Sequence, residues 1–276
     1  MISGAIFHFA DRVLAALEGF GKFTLFAMST WRWFFRGFGN WSRPSQLLPL
    51  FYQIGTKSIG VVIIVGTFIG MVLAIEAYNQ FKSIGQEARL GGIIGMSVVK
   101  QIGPVLAAVM IAGRVGGSVS AELGTMRVTE QIDALRVMGA DPIAYLVVPR
   151  VVTCVLMLPL LTIFSDLMGV FGGWYICARG YGVNESDYWD FSARFVTNYD
   201  VISGLIKTCF FGLAIGLISC YKGFHCEAGA AGVGRAATQA FVTSFIAIIV
   251  MNFFLAKFLR DMYFVLFGQP TVGAFG

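Results

Sequence analysis

The chain has 276 residues, of which 57% are hydrophobic and only 13% charged, and its mean hydropathy is +0.77. Soluble chains carry about 25% charged residues, so there are too few polar side chains here to cover a water-facing globule. A soluble enzyme, a disordered tail and a secreted disulfide scaffold all fit poorly, and a polytopic all-α membrane protein fits well. The net charge of +5 is concentrated toward the amino end, which bears on membrane orientation rather than on nucleic acid.

Residues 1–23 predict an amphipathic helix with Ile6, Phe9, Val13, Leu17 and Phe20 on one stripe. Asp11, Glu18 and Lys22 lie off that stripe, and Glu18 to Lys22 is a favourable i,i+4 pair. So much charge suits a helix lying in the membrane interface, and Asp11 and Arg12 interrupt any signal-peptide core. Trp31, Trp33, Phe34, Phe35, Phe38 and Trp41 then interleave with Arg32, Arg36 and Arg43, as expected at headgroup level. The same pattern would serve a soluble amphipathic helix docked on a partner. Residues 1–48 are taken as an amino-terminal interfacial region and 49–276 as a transmembrane domain.

The first span is uncharged between Lys57 and Glu76, and a polar loop is expected over 77–90. The second runs over 91–113, broken by Lys100, Gln101 and Pro104, and leads into a polar connection over 114–150. The third, 151–178, holds Asp166; an acid-rich loop, 179–200, follows. The fourth is 201–221, with Lys207 near its start as a snorkelling end residue. A Gly/Ala-rich connection over 222–235 precedes the fifth span, 236–256. Each run approaches the roughly 20 residues that cross hydrocarbon. Basic residues cluster before the first span and in 114–150, so both belong on the cytoplasmic side, with 179–200 outside. The Gly66/Gly70, Gly113/Gly117, Gly169/Gly173 and Gly212/Gly216 steps read as packing seams, or as surfaces on which helices slide.

Within the connection, Val128 to Met138 predicts a short amphipathic helix with Val128, Ile132, Leu135 and Met138 on its apolar stripe. Gly139 is placed to end it, and Asp141-Pro142 prevents continuation. Such a helix can pass a push from a soluble partner to two spans, or simply cap the bundle.

The string AELGTMRVTEQIDALRVMGADPIAYLVVPR resembles the signature of the MlaE/YrbE permease family, the membrane subunits of lipid-transporting ABC systems associated with MCE proteins. The resemblance continues through GTFIGMVLAIEAY, IGPVLAAVMIAGRVGGSVSAELG and AGVGRAATQAFV, and covers roughly residues 50–265. It implies a homodimer in the bacterial inner membrane, a cytoplasmic ABC ATPase that binds ATP and Mg, and an MCE-domain partner in the periplasm. It implies phospholipid, or in some relatives sterol or another hydrophobic molecule, as substrate. Glu122–Asp141 would be the coupling segment, with Glu122, Arg127, Glu130, Gln131, Asp133, Ala134, Leu135, Met138 and Asp141 as its matching residues. Where many members carry Arg-Glu before the Gly-Pro step, this chain has Lys100-Gln101, so the base is kept and the acid replaced. Gln101 can still hydrogen-bond a headgroup but brings no charge.

A charge in hydrocarbon costs about 2.5–3.5 kcal/mol by insertion scales, so such groups face cavities or partners. Glu76, Tyr78, Lys100 and Gln101 are therefore the candidate lipid-binding residues, with Lys100 meeting the phosphate. The alternative is that Glu76 and Lys100 merely mark span ends.

No cofactor is expected on this chain. Gly21-Lys22 is followed by Phe23, so no phosphate-binding loop of the GxxxxGK[ST] kind is formed there. Cys220 and Cys226 flank His225, an incomplete metal set. His8 and His225 are far apart in sequence, and no nucleophile or paired-carboxylate pattern supports a lipid-modifying enzyme. No pair of related halves supports an ion-coupled carrier.

Overall fold

The computed structural model describes residues 2–37 and 44–268. Phe38, Trp41 and Arg43 lie outside the described residues, as do the side chains of Ile6, Phe9, Asp11, Arg12 and Val13. The described residues form helices joined by short turns, in the order α1 (Ile2–Arg36), α2 (Ser45–Ser83), α3 (Glu87–Val128), α4 (Gln131–Val137), α5 (Ile143–Gly180), α6 (Glu185–Phe195), α7 (Asn198–Phe224) and α8 (Ala230–Phe267). Five of them, α2, α3, α5, α7 and α8, are long and apolar enough to cross a membrane.

The spans are longer than the hydrophobic runs suggest, because each continues beyond its uncharged stretch. The loop expected at 77–90 shrinks to a turn at residues 84–86, and Gly85, at φ 66°, makes that turn possible. Lys100, Gln101 and Pro104 do not break α3. The helix instead takes up a π-helical turn at Val98–Ile102 and another at Ala112–Gly116. Pro104 sits in the first turn after the Val98–Ile102 insertion, where a missing amide hydrogen is tolerated. The 114–150 connection is correspondingly short: its first half is membrane helix as far as Val128. The 222–235 connection likewise gives way to helix from Ala230.

The acid-rich 179–200 segment is not a plain loop. It contains α6, whose start is capped by the Asn184 side chain accepting from the Ser186 amide at 3.3 Å. Tyr188 on α6 is fully buried, and its hydroxyl donates to the Val170 carbonyl at 2.9 Å. Burial pushes the Tyr188 phenol above its ordinary pKa, so it stays a donor.

The helix α5 is the central post. Gly66 on α2 faces the Ser165 backbone, where an added Cβ would come within 2.6 Å of a carbonyl oxygen, and at Gly70 it would overlap the backbone of Gly169. On its other side Gly212 of α7 meets the Cys154 carbonyl, again at 2.6 Å from a built Cβ. Without a hydrophobic force between helices inside lipid, such backbone approach supplies the dispersion contacts that hold the bundle. Gly113 and Gly117 differ: a built Cβ at Gly113 meets only the Phe241 ring, at 3.4 Å, so this step is looser.

One continuous helix, α1, replaces the short amphipathic helix expected over 1–23. Leu17 and Phe20 point away from the bundle, while Phe26 is buried against the rings of Tyr221, Phe224 and His225. The Glu18–Lys22 pair forms at 2.7 Å on the exposed side. At the far end Trp33 Nε1 donates to Asp141 Oδ2 at 3.0 Å, tying α1 to the segment between the second and third spans.

Candidate functional site

A cleft of about 880 Å³ opens between α3, the start of α7 and the carboxyl-terminal half of α8. It lies at the end of the bundle that carries α6, opposite the end that carries α4. Its polar lining includes Lys100, Gln101, Asp200, Lys207, Lys257 and Arg260. Apolar walls come from Met96, Phe195, Ile249, Phe253 and Phe264.

The π-helical turn at Val98–Ile102 presents this chemistry. Inserting one residue into the ladder shifts the hydrogen-bond register and leaves backbone groups in need of partners. Lys207 Nζ donates to the Lys100 carbonyl and, at 3.1 Å, to Gln101 Oε1. Gly204, one helical turn before Lys207, permits this approach, since a Cβ there would lie 2.7 Å from the Val99 carbonyl oxygen. Lys207 is only 2% exposed. It is therefore not a snorkelling residue. A charge so deep is kept by hydrogen bonds rather than by water.

Lys100 turns outward and pairs with Asp200 Oδ1 at 2.9 Å. The other carboxylate oxygen of Asp200 accepts from the Thr197 hydroxyl at 2.7 Å and the Thr197 amide at 3.2 Å. The Asp200 amide donates back to Thr197 Oγ1, completing a reciprocal cap on α7. Tyr199 Oη donates to the Leu259 carbonyl at 2.6 Å, which ties this cap to α8. Lys257 and Arg260 are exposed on α8 and form no ion pair with a described residue. Lys100, Lys207, Lys257 and Arg260 thus outnumber the one carboxylate in the lining, Asp200. The cleft is cationic, apolar-walled and large enough for an amphiphile with an anionic head.

The four residues expected at a lipid site divide. Lys100 and Gln101 line the cleft, and Glu76 and Tyr78 do not. Glu76 is exposed on α2. Tyr78 is buried, stacked on Tyr181 at 3.7 Å between ring centroids. Asp200, Lys207, Lys257, Arg260 and Asn252 were missed as site residues. Asp166 is half-buried, with its Oδ1 atom buried and unpartnered, and Gly103 leaves the space its carboxylate fills.

At the opposite end, α4 is shorter than expected, beginning at Gln131 after Glu130 takes a left-handed conformation at φ 60°. The Glu130 carbonyl accepts from the Asp133 and Ala134 amides at 3.1 and 2.9 Å. Gly139, at φ 79°, ends the helix as expected: its amide donates to the Arg136 carbonyl, and the Ala140 amide to that of Leu135. The apolar stripe is only half used. Ile132 is fully buried and Leu135 packs on the core, but Met138 is 72% exposed, and neighbouring Val137 is 90% exposed.

The candidate coupling residues fall into two groups. Glu130, Gln131, Ala134 and Met138 are exposed. The others are built into the fold. Asp133 is held by Arg127 and Arg136, at 2.8 and 2.9 Å. Glu122 on α3 pairs with the buried Arg150 of α5 at 2.8 Å. Asp141 accepts from Trp33 and from the Ile143 amide. Polar contacts thus join α4 to α3 through Asp133–Arg127, α3 to α5 through Glu122–Arg150, and α1 to the segment after α4 through Trp33–Asp141.

Fold and cleft define a polytopic integral membrane protein. Over 250 residues, 89% of this chain and 94% of the relative, it is 39% identical to a probable ABC transporter permease protein of Rickettsia conorii. A probable ABC transporter permease protein of Synechocystis is 43% identical over 204 residues, 74% of this chain and 78% of the relative. The intermembrane phospholipid transport system permease protein MlaE of Haemophilus influenzae is 30% identical over 214 residues, 77% of this chain and 82% of the relative. Residues 47–258 match the family model described as Permease MlaE. The chain belongs to the MlaE permease family of ABC transporter permeases.

Proposed function

We propose that this chain is the membrane subunit of an ABC system that moves phospholipid between the inner membrane and an MCE-type periplasmic partner. The observation that carries the reading is the cleft in which Lys100, Lys207, Lys257 and Arg260 face apolar walls. A phosphodiester meets the cations, and acyl chains meet Phe253, Phe264 and Ile249. Each buried CH₂ contributes roughly 0.8 kcal/mol, so a two-tailed lipid does not leave unaided. Work is required, and this chain receives it from a separate cytoplasmic ATPase that holds the ATP and Mg. The chain itself binds no cofactor.

The ATPase docks on the exposed face of α4, at Glu130, Gln131, Ala134 and Met138. Closure of its two subunits on ATP moves the two α4 segments of a homodimer together. Glu122–Arg150 and Trp33–Asp141 pass that movement to α3, α5 and α1. The clefts narrow, and lipid passes to or from the outer partner. The amino terminus and α4 are cytoplasmic in this scheme, and α6 faces the periplasm.

The test is lipid photo-crosslinking and transfer in reconstituted vesicles. Lys100→Ala is expected to lower transfer, and crosslinking to the residues that line this cleft, by tenfold or more, with the protein still monodisperse. Unchanged crosslinking and transfer would remove the cleft from the transport path.

A further inference from the structure

A second polar cavity, of about 200 Å³, lies at the α4 end of the bundle, between α2 and α3. Gln53, Lys57, Arg114, Ser118 and Glu122 supply its polar lining. Its volume is well above the ~30 Å³ that one water occupies in the liquid. Each of its two walls carries a π-helical turn, Tyr52–Thr56 on α2 and Ala112–Gly116 on α3. Such turns often mark functional sites, and the described residues carry three more, at Val98–Ile102, Ile143–Val147 and Ile176–Gly180.

The charges do not balance. Glu122 is engaged by Arg150, which is itself buried. Lys57 and Arg114 are exposed to the cavity side and have no carboxylate partner among the described residues. Lys57 Nζ lies 5.5 Å above the Tyr52 ring, and Arg114 Nη1 donates to Ser58 Oγ, both neutral partners. Two cations of the lining, Lys57 and Arg114, therefore meet one carboxylate, Glu122, that Arg150 already engages. An anion with several acceptor oxygens would relieve this, and Arg with Lys is the usual pair for a phosphate group. Arg114 stands fourteen residues beyond Lys100 on α3, about 21 Å at ~1.5 Å per residue. The two cationic sites are thus separated by most of the ~30 Å hydrocarbon thickness.

From this cavity, its two π-helical walls and its uncompensated cations we infer that Lys57 and Arg114 form a second phosphate-binding site, at the opposite membrane face from the Lys100 cleft. It takes the phosphodiester of a lipid in that leaflet. Only the source of the phosphate rests on the lipid-transport reading; the anion site stands on its own geometry. Gln53 and Ser118 supply neutral hydrogen bonds around the group.

Native mass spectrometry of the full chain, released from micelles with dihexanoyl phosphatidylglycerol, dihexanoylglycerol or inorganic phosphate, tests this. The wild-type chain is expected to retain the phospholipid at two sites and to ignore dihexanoylglycerol. Lys57→Gln with Arg114→Gln should weaken one of the two by at least tenfold, and Lys57→Gln alone, at an exposed position, by severalfold. Lys100→Gln should leave that site intact. Retention of inorganic phosphate as tightly as the lipid, lost in the same variants, would assign the site to free phosphate while keeping its chemistry. Unchanged retention of both phosphate and phospholipid in the Lys57→Gln and double variants overturns the inference. Loss in those variants with none in Lys100→Gln would keep the inference and count against the outer cleft.

Discussion

Asp200 serves two structures at once: one oxygen holds Lys100 and the other caps α7. The two roles can be separated. Asp200→Ala loses both and is expected to cost about 1 kcal/mol for its N3 half of the capping box alone, or roughly 2–4 °C in melting temperature for a chain of this size. Asp200→Asn retains a capping side chain and should melt close to wild type in detergent. Equal losses in the two variants would place the stabilisation in the ion pair instead. At this scale Lys100 and Gln101 were legible, because charged and polar groups inside an apolar run must face something. Lys207 was misread for a physical reason: a lysine near a span end and one buried in a bundle look alike in a single helix. What distinguishes them is the bared carbonyl of Lys100 on another helix, and nothing near residue 207 in sequence announces it.

Among elements, the α2–α5 seam makes the sharpest contrast. Gly60 has open space around it, whereas Gly70 has backbone against it. Gly60→Ala is expected to be neutral or to stabilise α2 by up to about 1 kcal/mol, from helix propensity. Gly70→Ala should destabilise by about 1–3 kcal/mol through overpacking. Thermal unfolding of the two variants checks this, and similar melting temperatures would mean the seam is not tight. At the end of α4, Gly139→Val forces a β-branched residue into a left-handed conformation and should cost about 1–2 kcal/mol. Its readout is hydrogen exchange of the amides of residues 131–140, which should quicken locally. The periodicity that revealed α4 and its glycine stop came from local rules. By contrast α6 was read as loop, although Asn184 with Glu185 and Asp187 is a helix start. Its acids drew the reading toward solvent, while its packing depends on Tyr188, which is buried against α5.

For the whole molecule, the decisive question is which side α4 faces and what it touches. Ala134→Cys should react with an impermeant maleimide only after cells are opened; labelling of intact cells would invert the topology. Glu130→Lys with Met138→Asp alters two exposed positions, so the chain should still reach the membrane while its ATPase no longer co-purifies. Full recovery of the ATPase would move the docking surface elsewhere.

Hydropathy alone determined that the chain is a membrane bundle of five crossings, because a run of about 20 apolar residues has few other stable homes. The family string around Glu122–Asp141 was likewise complete in the linear order. Only the tertiary structure decided which charges share a cavity. Lys100, Asp200, Lys207 and Arg260 come from three helices, and Lys57 meets Arg114 across two. Those meetings depend on π-helical turns and glycine contacts that rotate and draw together helices distant in sequence, and hydropathy does not record rotation.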